Sequence, residues 1–303
     1  MRVDSRTTAE QAEEGLHRRS VAIGAPAVLW LMVFFLIPLG MVAVASLLTA
    51  GDYGGIEPPV TFANYLRIAG KGMFGFDPVY PLILGRSLLL GLVTTVLCLA
   101  AGLPLAFWIA RLPGAFKTLG LTLVVVPFWT NLLIRTYAWQ ILLSPDGWVT
   151  GVARWVGLVD PGAALYPGMF AVSLCMLCDF LPFMVLPLYV SIEKLDTSLV
   201  EAAADLGANR WNIFRHAIVP QIRSGLAAGV TLVFLPATGQ FVIPDLLGGG
   251  KTALLGNLIQ QQFGPSMDWP FGSAIAMVTL VVVLLGLWVA SLMGGQRGET
   301  ELL

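Results

Sequence analysis

Several groups of residues in this chain have types and spacings that could do chemistry. Gly248-Gly249-Gly250-Lys251-Thr252 ends like a phosphate-cradling loop. Such a loop needs a glycine five residues before its final glycine, and Asp245 stands there. Cys175 and Cys178 form Cys-x-x-Cys without a nearby His or further Cys. A structural zinc site takes four ligands, so these thiols read as packing, and no metal site is expected. His17 and His216 are far apart, and no Ser/His/Asp grouping or His-Glu metal motif is present. No catalytic residue is therefore assigned, and the ATP-driven reading of the glycine run fails on its spacing.

Asp179 is different, because it lies in an otherwise apolar run. A charge at mid-bilayer costs about 2.5–3.5 kcal/mol on insertion scales, so such an acid faces protein or water. Three readings stand: an ion pair with Arg135, a contact for a cationic substrate, or a protonated, locally hydrogen-bonded carboxyl. Counted from the outer ends of their helices, Arg135 and Asp179 differ by roughly 6 Å in depth at 1.5 Å per residue, within reach of an Arg side chain. Gln240 reads either as a polar lining of a pathway or as an amide bonding neighbouring helices. Tyr189 and Trp269 are interfacial aromatics whose rings could face a cation. Gly225-x-x-x-Gly229 permits two helices to approach closely.

The elements that must hold these residues follow from composition. Hydrophobic residues make up 57% of the 303 and charged residues 12%, against roughly 45–50% and 25% in a soluble domain. The formal net charge of −1 leaves no basic footprint for nucleic acid, and three Cys are no disulfide scaffold. The solvent is largely lipid. A helix needs about 20 mostly apolar residues to cross it, and six stretches qualify: 21–48, 87–110, a third after Lys117, 167–191, 224–244 and 271–293. The third meets Arg135 early, with 136–143 as its continuation. The first is longer than the 7–15 residues of a signal-peptide core, so it reads as an uncleaved span. With the N-terminus inside, the inner segments hold 11 of the 17 Lys and Arg. That bias puts both termini in the cytoplasm.

One inner segment, residues 192–223, is long and polar. Thr197 or Ser198 can cap a helix, Ser198 standing three residues before Glu201 as in a capping box. Leu199, Ala202, Ala203 and Leu206 then make one apolar stripe, with Glu201, Asp205 and Asn209 on another face. Gly207 falls where a left-handed C-terminal cap belongs. Trp211, Phe214 and Ile218 mark a second helix that Pro220 ends or kinks. Helix, glycine, helix could lie along headgroups, but alanines bury little area in lipid. They favour a compact knob in a protein socket.

Glu201-Ala202-Ala203, Gly207 and Ala217-Ile218-Val219-Pro220 resemble the EAA loop of ABC-importer permeases, with Ala217 and Val219 where Ile and Leu are usual. The resemblance runs from about Leu82 to Trp288. It includes Pro127-Phe128-Trp129 through Trp139, residues 181–189, residues 241–249 and Asp268-Trp269-Pro270, all similar to spermidine/putrescine permeases. It implies an all-α polytopic membrane protein with six transmembrane helices and the type I importer fold. The expected division is a cytoplasmic tail over 1–20, a first helix over 21–48, a five-helix core over 82–293 with its coupling loop at 192–223, and a tail over 294–303.

The implied function is half of a translocation pathway in a bacterial inner membrane, for polyamines delivered by an external binding protein. The implied partners are a second permease and a cytoplasmic ATPase dimer, which uses ATP and Mg²⁺; this chain is expected to bind no cofactor itself and not to be an enzyme. Glu201, Ala202, Ala203, Asp205, Gly207 and Pro220 are the ATPase-coupling candidates. Arg135, Asp179, Tyr189, Gln240, Asp245 and Trp269 are the pathway candidates. Two alternatives remain: another small solute, or a stand-alone secondary transporter, which would show two related halves and ion-coupling groups.

Overall fold

The computed structural model describes residues 25–26, 28–51, 54–72, 75–160, 162–250 and 253–294. Apart from Gly294, which still belongs to the last helix, the expected tails, and with them His17, lie outside the described residues, as do residues 21–24 and 27 of the expected first helix and Lys251 and Thr252. The described chain is helical apart from two short antiparallel hairpins, β1 (Thr49–Ala50) with β2 (Ile56–Glu57) and β3 (Lys71–Gly72) with β4 (Gly75–Phe76). The hairpins flank α2 (Ala63–Ile68), in the segment between the first two long helices.

Among the described residues, five helices are long and apolar enough to cross a membrane: α1 (Val28–Ala45), α3 (Val79–Ala110), α7 (Met169–Glu193), the helix spanning Arg210–Gly239, and α13 (Trp269–Gly294), of which Trp269–Trp288 forms the span. A bent pair supplies the sixth. Its first arm is α4 (Gly114–Val125), continued by a 3₁₀ turn over Val126–Trp129, and its second arm begins with α5 (Leu132–Leu143). The two arms meet at 95°. Residues 136–143 continue the span as expected, but across a sharp bend. The cause is local: Pro127 opens the tight turn, Thr130 is extended, and Asn131 caps a new helix by accepting the Leu133 N–H at 2.8 Å. The first arm alone covers roughly 24 Å at 1.5 Å per residue, short of the ~30 Å hydrocarbon. After α5 come α6 (Trp148–Trp155) and then α7.

The bundle core forms where α3, α7 and the last part of Arg210–Gly239, here α10 (Val219–Gly239), pack together. Cys98, Ala106, Cys175, Met176, Met184, Leu188 and Val233 are fully buried there. Lipid cannot drive helices together by hydrophobic burial, so close van der Waals fit does it. Gly102 abuts Met184 and Val185, and a side-chain carbon on Gly225 would stand 2.5 Å from the Pro187 carbonyl oxygen. On Gly229 it would stand 2.9 Å from the Met184 sulfur. The Gly225-x-x-x-Gly229 pair is thus the close-approach surface that its spacing suggested. α1 lies outside this core, against α13. Gly225→Val is expected to cost about 1–3 kcal/mol as an overpacking change, read as a lower melting temperature of the solubilised protein. Gly40→Val, with nothing within 4 Å of the added carbon, is the control and should leave that temperature unmoved.

Candidate translocation site and coupling elbow

The elbow between α7 and α10 begins at Asp196. Its carboxylate accepts from the Ser198 N–H at 2.9 Å and the Ser198 hydroxyl at 2.7 Å, and so caps α8 (Thr197–Asp205). Asp196, not Thr197 or Ser198, is the cap, and Glu201 stays exposed. The Ser198 hydroxyl, then its N–H, hold the Asp196 carboxyl below the usual carboxylate range. A lowered value means this cap is complete at neutral pH and is lost only as pH falls through that value. α8 ends in a Schellman motif. The Gly207 N–H reaches the Ala204 carbonyl at 2.9 Å, and the Ala208 N–H reaches Ala203 at 3.1 Å. Gly207 itself takes φ +80°, the left-handed conformation that its position in the sequence called for.

The second piece is α9 (Arg210–Ile213), followed by a π turn over Phe214–Ile218 that runs into α10 without a break. Of its two expected roles, ending or kinking the helix, Pro220 does not end it; the chain departs from regular α-helix in the π turn just before it. The π turn bonds the Val219 N–H to the Phe214 carbonyl and sets Pro220 at the first turn of α10, where its missing N–H is harmless. The 30 residues from Arg210 to Gly239 form one rod, about 45 Å long at 1.5 Å per residue. Gln221 ties the other strand of the elbow to it, accepting the Asp196 N–H at 2.9 Å. Between α8 and the rod lies a groove of about 590 Å³, lined by Leu199, Ala202, Ala203, Leu206, Asn212 and His216 among others. Leu206 is 88% exposed. The apolar stripe faces a groove rather than the body of the protein.

At the other site two interruptions, the hinge of the bent span and the end of α10, meet the middle of the unbroken α7. Asp179 on α7 is 5% exposed, and its Oδ1 lies 2.5 Å from the Nε of Arg135 on α5, which is 15% exposed. Arg135 also donates from Nη1 to the Pro127 carbonyl at 2.5 Å, and its guanidinium carbon lies 6.0 Å from the Phe128 ring centroid. Thr130 donates to the same carbonyl at 2.7 Å. The Arg therefore braces the hinge and meets the intramembrane acid at once. The pair borders a cavity of about 290 Å³ lined by Phe128, Thr130, Leu132, Phe180 and Gln240. Gln240 lies at the end of α10 and not inside it. Its Oε1 accepts the N–H of Phe241 at 3.1 Å and of Val242 at 3.4 Å, at the start of α11 (Val242–Leu247).

Comparison with known proteins fits this geometry. Residues 102–294 match the family model described as "Binding-protein-dependent transport system inner membrane component". The chain belongs to that family. It is 40% identical over 275 residues to the spermidine/putrescine transport system permease protein PotB of Escherichia coli K12, covering 90% of this chain and 98% of that one. It is 30% identical to the inner membrane ABC transporter permease protein YdcU of the same organism, over 76% of this chain and 75% of that one. Among solved structures, a chain of the bacterial ABC transporter involved in import of the acidic polysaccharide alginate superposes with a TM-score of 0.69. That match is at 17% identity over 96% of this chain and 98% of the other. The fold is that of a type I importer permease, and the chain is a transport subunit rather than an enzyme.

The remaining candidates of this permease stand apart from the cavity. Tyr189 is buried in the core. Asp245 on α11 is exposed and accepts from the Asn257 amide at 3.2 Å. Trp269 opens α13 beside Phe263 at the end of α12 (Leu255–Phe263), ring centroids 6.3 Å apart. Sequence reasoning missed Phe128 and Phe180 as cavity walls, although Phe180 is the neighbour of Asp179 and Phe128 lies beside the hinge proline. It also missed Arg67, which pairs with Asp268 at 2.9 Å with its guanidinium 3.9 Å from the Phe271 ring centroid, tying α2 to the start of α13. On Gly207 a side chain meets no atom within 4 Å, so only its φ is demanding. Gly207→Val is expected to cost about 1–2 kcal/mol in that conformation and to lower uptake per ATP hydrolysed. Gly207→Asn, which tolerates positive φ, should keep most of the coupling; the ratio of transport to hydrolysis in proteoliposomes checks both.

Proposed function

We propose that this permease forms half of the translocation pathway of an ATP-driven polyamine importer, with Glu201, Ala202, Ala203, Asp205, Gly207 and Pro220 as its coupling surface. The observation that carries the polyamine reading is the 40% identity to a spermidine/putrescine permease over nearly its whole length. A buried acid at an aromatic-walled cavity adds to it, because a polycation needs a carboxylate and gains from ring faces.

The partners in this reading are a second permease, two ATPase subunits that hold ATP and Mg²⁺, and an external binding protein. A solved relative is described as an alginate transporter in complex with a ligand-bound periplasmic protein. Both termini and the elbow face the cytoplasm, in line with the Lys and Arg bias. There the ATPase would grip α8 and its groove, and the rod from Arg210 would carry that movement to α7 and α3. Arg135, Asp179 and Gln240 would line the pathway, while Tyr189, Asp245 and Trp269 support it from the core or the outer end.

The reading is tested by reconstituting the complete complex and measuring ATP hydrolysis with a panel of binding proteins and ligands. Stimulation by a spermidine- or putrescine-loaded binding protein is the expected result. Stimulation only by a binding protein carrying another small solute would assign the permease to that solute instead.

A further inference from the structure

Among the described residues, Asp179 is the only acid deep within a span, and its partner holds it in an unusual way. Arg135 meets Asp179 through Nε, 2.5 Å from Oδ1, and neither of these two atoms has a hydrogen-bond partner among the described residues, so the pair is a close ionic contact and not the two-pronged hydrogen-bonded fork of the strongest Arg–carboxylate pairs. Nη1 is committed to the Pro127 carbonyl. The guanidinium therefore has a second anchor that does not depend on the acid, with the Phe128 ring beside it. The pair borders a cavity of about 290 Å³, several times the ~30 Å³ share of one water. Its walls hold what an alkylammonium group takes up on leaving water: a carboxylate and the rings of Phe128 and Phe180.

Removing the cation from a buried acid leaves an uncompensated charge and is strongly unfavourable, whereas exchanging one cation for another leaves the charge balance intact. A neutral or anionic solute cannot separate this pair on those terms. We propose that Arg135 is a tethered occupant of a cation site, displaced from Asp179 by an ammonium group of the substrate in a charge-for-charge exchange that excludes uncharged and anionic solutes. This rests on the polyamine reading and gives it a gate. No covalent step is involved: the carboxylate changes partners, and the guanidinium stays on the Pro127 carbonyl and the Phe128 face.

The test uses the complete complex, with its sister permease, ATPase and binding protein, and spermidine as the probe. Uptake is measured in proteoliposomes. ATPase stimulation by free spermidine is measured in nanodiscs without the binding protein. Asp179→Asn is expected to lower uptake at least about tenfold, since the site loses its charge. Arg135→Gln is expected to lower several-fold the spermidine concentration at half-maximal stimulation, because the resident competitor is gone. The double variant should remain as poor as Asp179→Asn. Restored uptake in the double variant would make the pair purely structural and overturn the proposal, as would undiminished uptake by Asp179→Asn or an unmoved or raised half-saturation in Arg135→Gln. If Arg135→Gln does not co-purify with its partners, Arg135→Lys, which keeps a cation but loses the guanidinium's second anchor, is expected to shift half-saturation the same way, and a failure to do so is equally fatal. A wild-type complex that takes up no polyamine sinks the polyamine reading and the exchange together; a wild type that does, with variants behaving otherwise, sinks the exchange alone.

Discussion

A carboxylate in hydrocarbon must find a cation or water, and much of this permease's interior is arranged around how Asp179 does so. Its partner comes from a different span, on an arm turned through 95°. The bend brings α5 across to α7, and Asn131 and Pro127 give the bend its local chemistry. Without the hinge, Arg135 would continue outward along a straight helix. The ion pair and the broken span are thus one feature seen from two sides: the break aims the guanidinium, and the guanidinium bonds back across the break to Pro127.

The same economy governs the backbone. In lipid an interrupted helix is tolerated only where protein or a water-filled cavity satisfies the freed groups. The cavity beside Asp179 collects such interruptions: the 3₁₀ turn, the extended Thr130 and the end of α10 at Gln240. Side chains supply partners there, Thr130 and Arg135 by donating to the Pro127 carbonyl and Gln240 by accepting two N–H groups. Where the core is unbroken, glycines replace polar chemistry as the means of packing, and α10 rests on α7 through Gly225 and Gly229.

Those contacts give the elbow its mechanical meaning. A segment that only capped the bundle would need no rigid connection, yet the second half of the elbow is continuous with α10 through a π turn that carries the chain past Pro220. The first half is pinned at both ends, by the Asp196 cap and the Schellman motif at Gly207. In the proposed function, a force on the exposed alanine face would reach the α7–α10 contact as displacement of that helix. The bulk of that helix lies between the elbow and the cavity end.

Much of this was legible in the residues themselves. Runs of apolar residues set the number of helices, since lipid accepts little else, and the positive φ at Gly207 and the close approach at Gly225 follow from local chemistry that any context would respect. The Asp196 cap and the hinge at Pro127 and Asn131 carried readable signals as well, passed over because an apolar run suggested a span continuing through Arg135 and a capping box suggested Ser198. Tertiary structure alone decided which side chains share a cavity. Arg135, Asp179 and Gln240 are separated by 44 and 61 residues, and Phe128 and Phe180 join them only because the break in the bent span and the end of α10 meet beside the same stretch of α7. Sequence periodicity reports which face of a helix is apolar; it does not report the angle at which two arms meet, and here that angle determines which charge faces which.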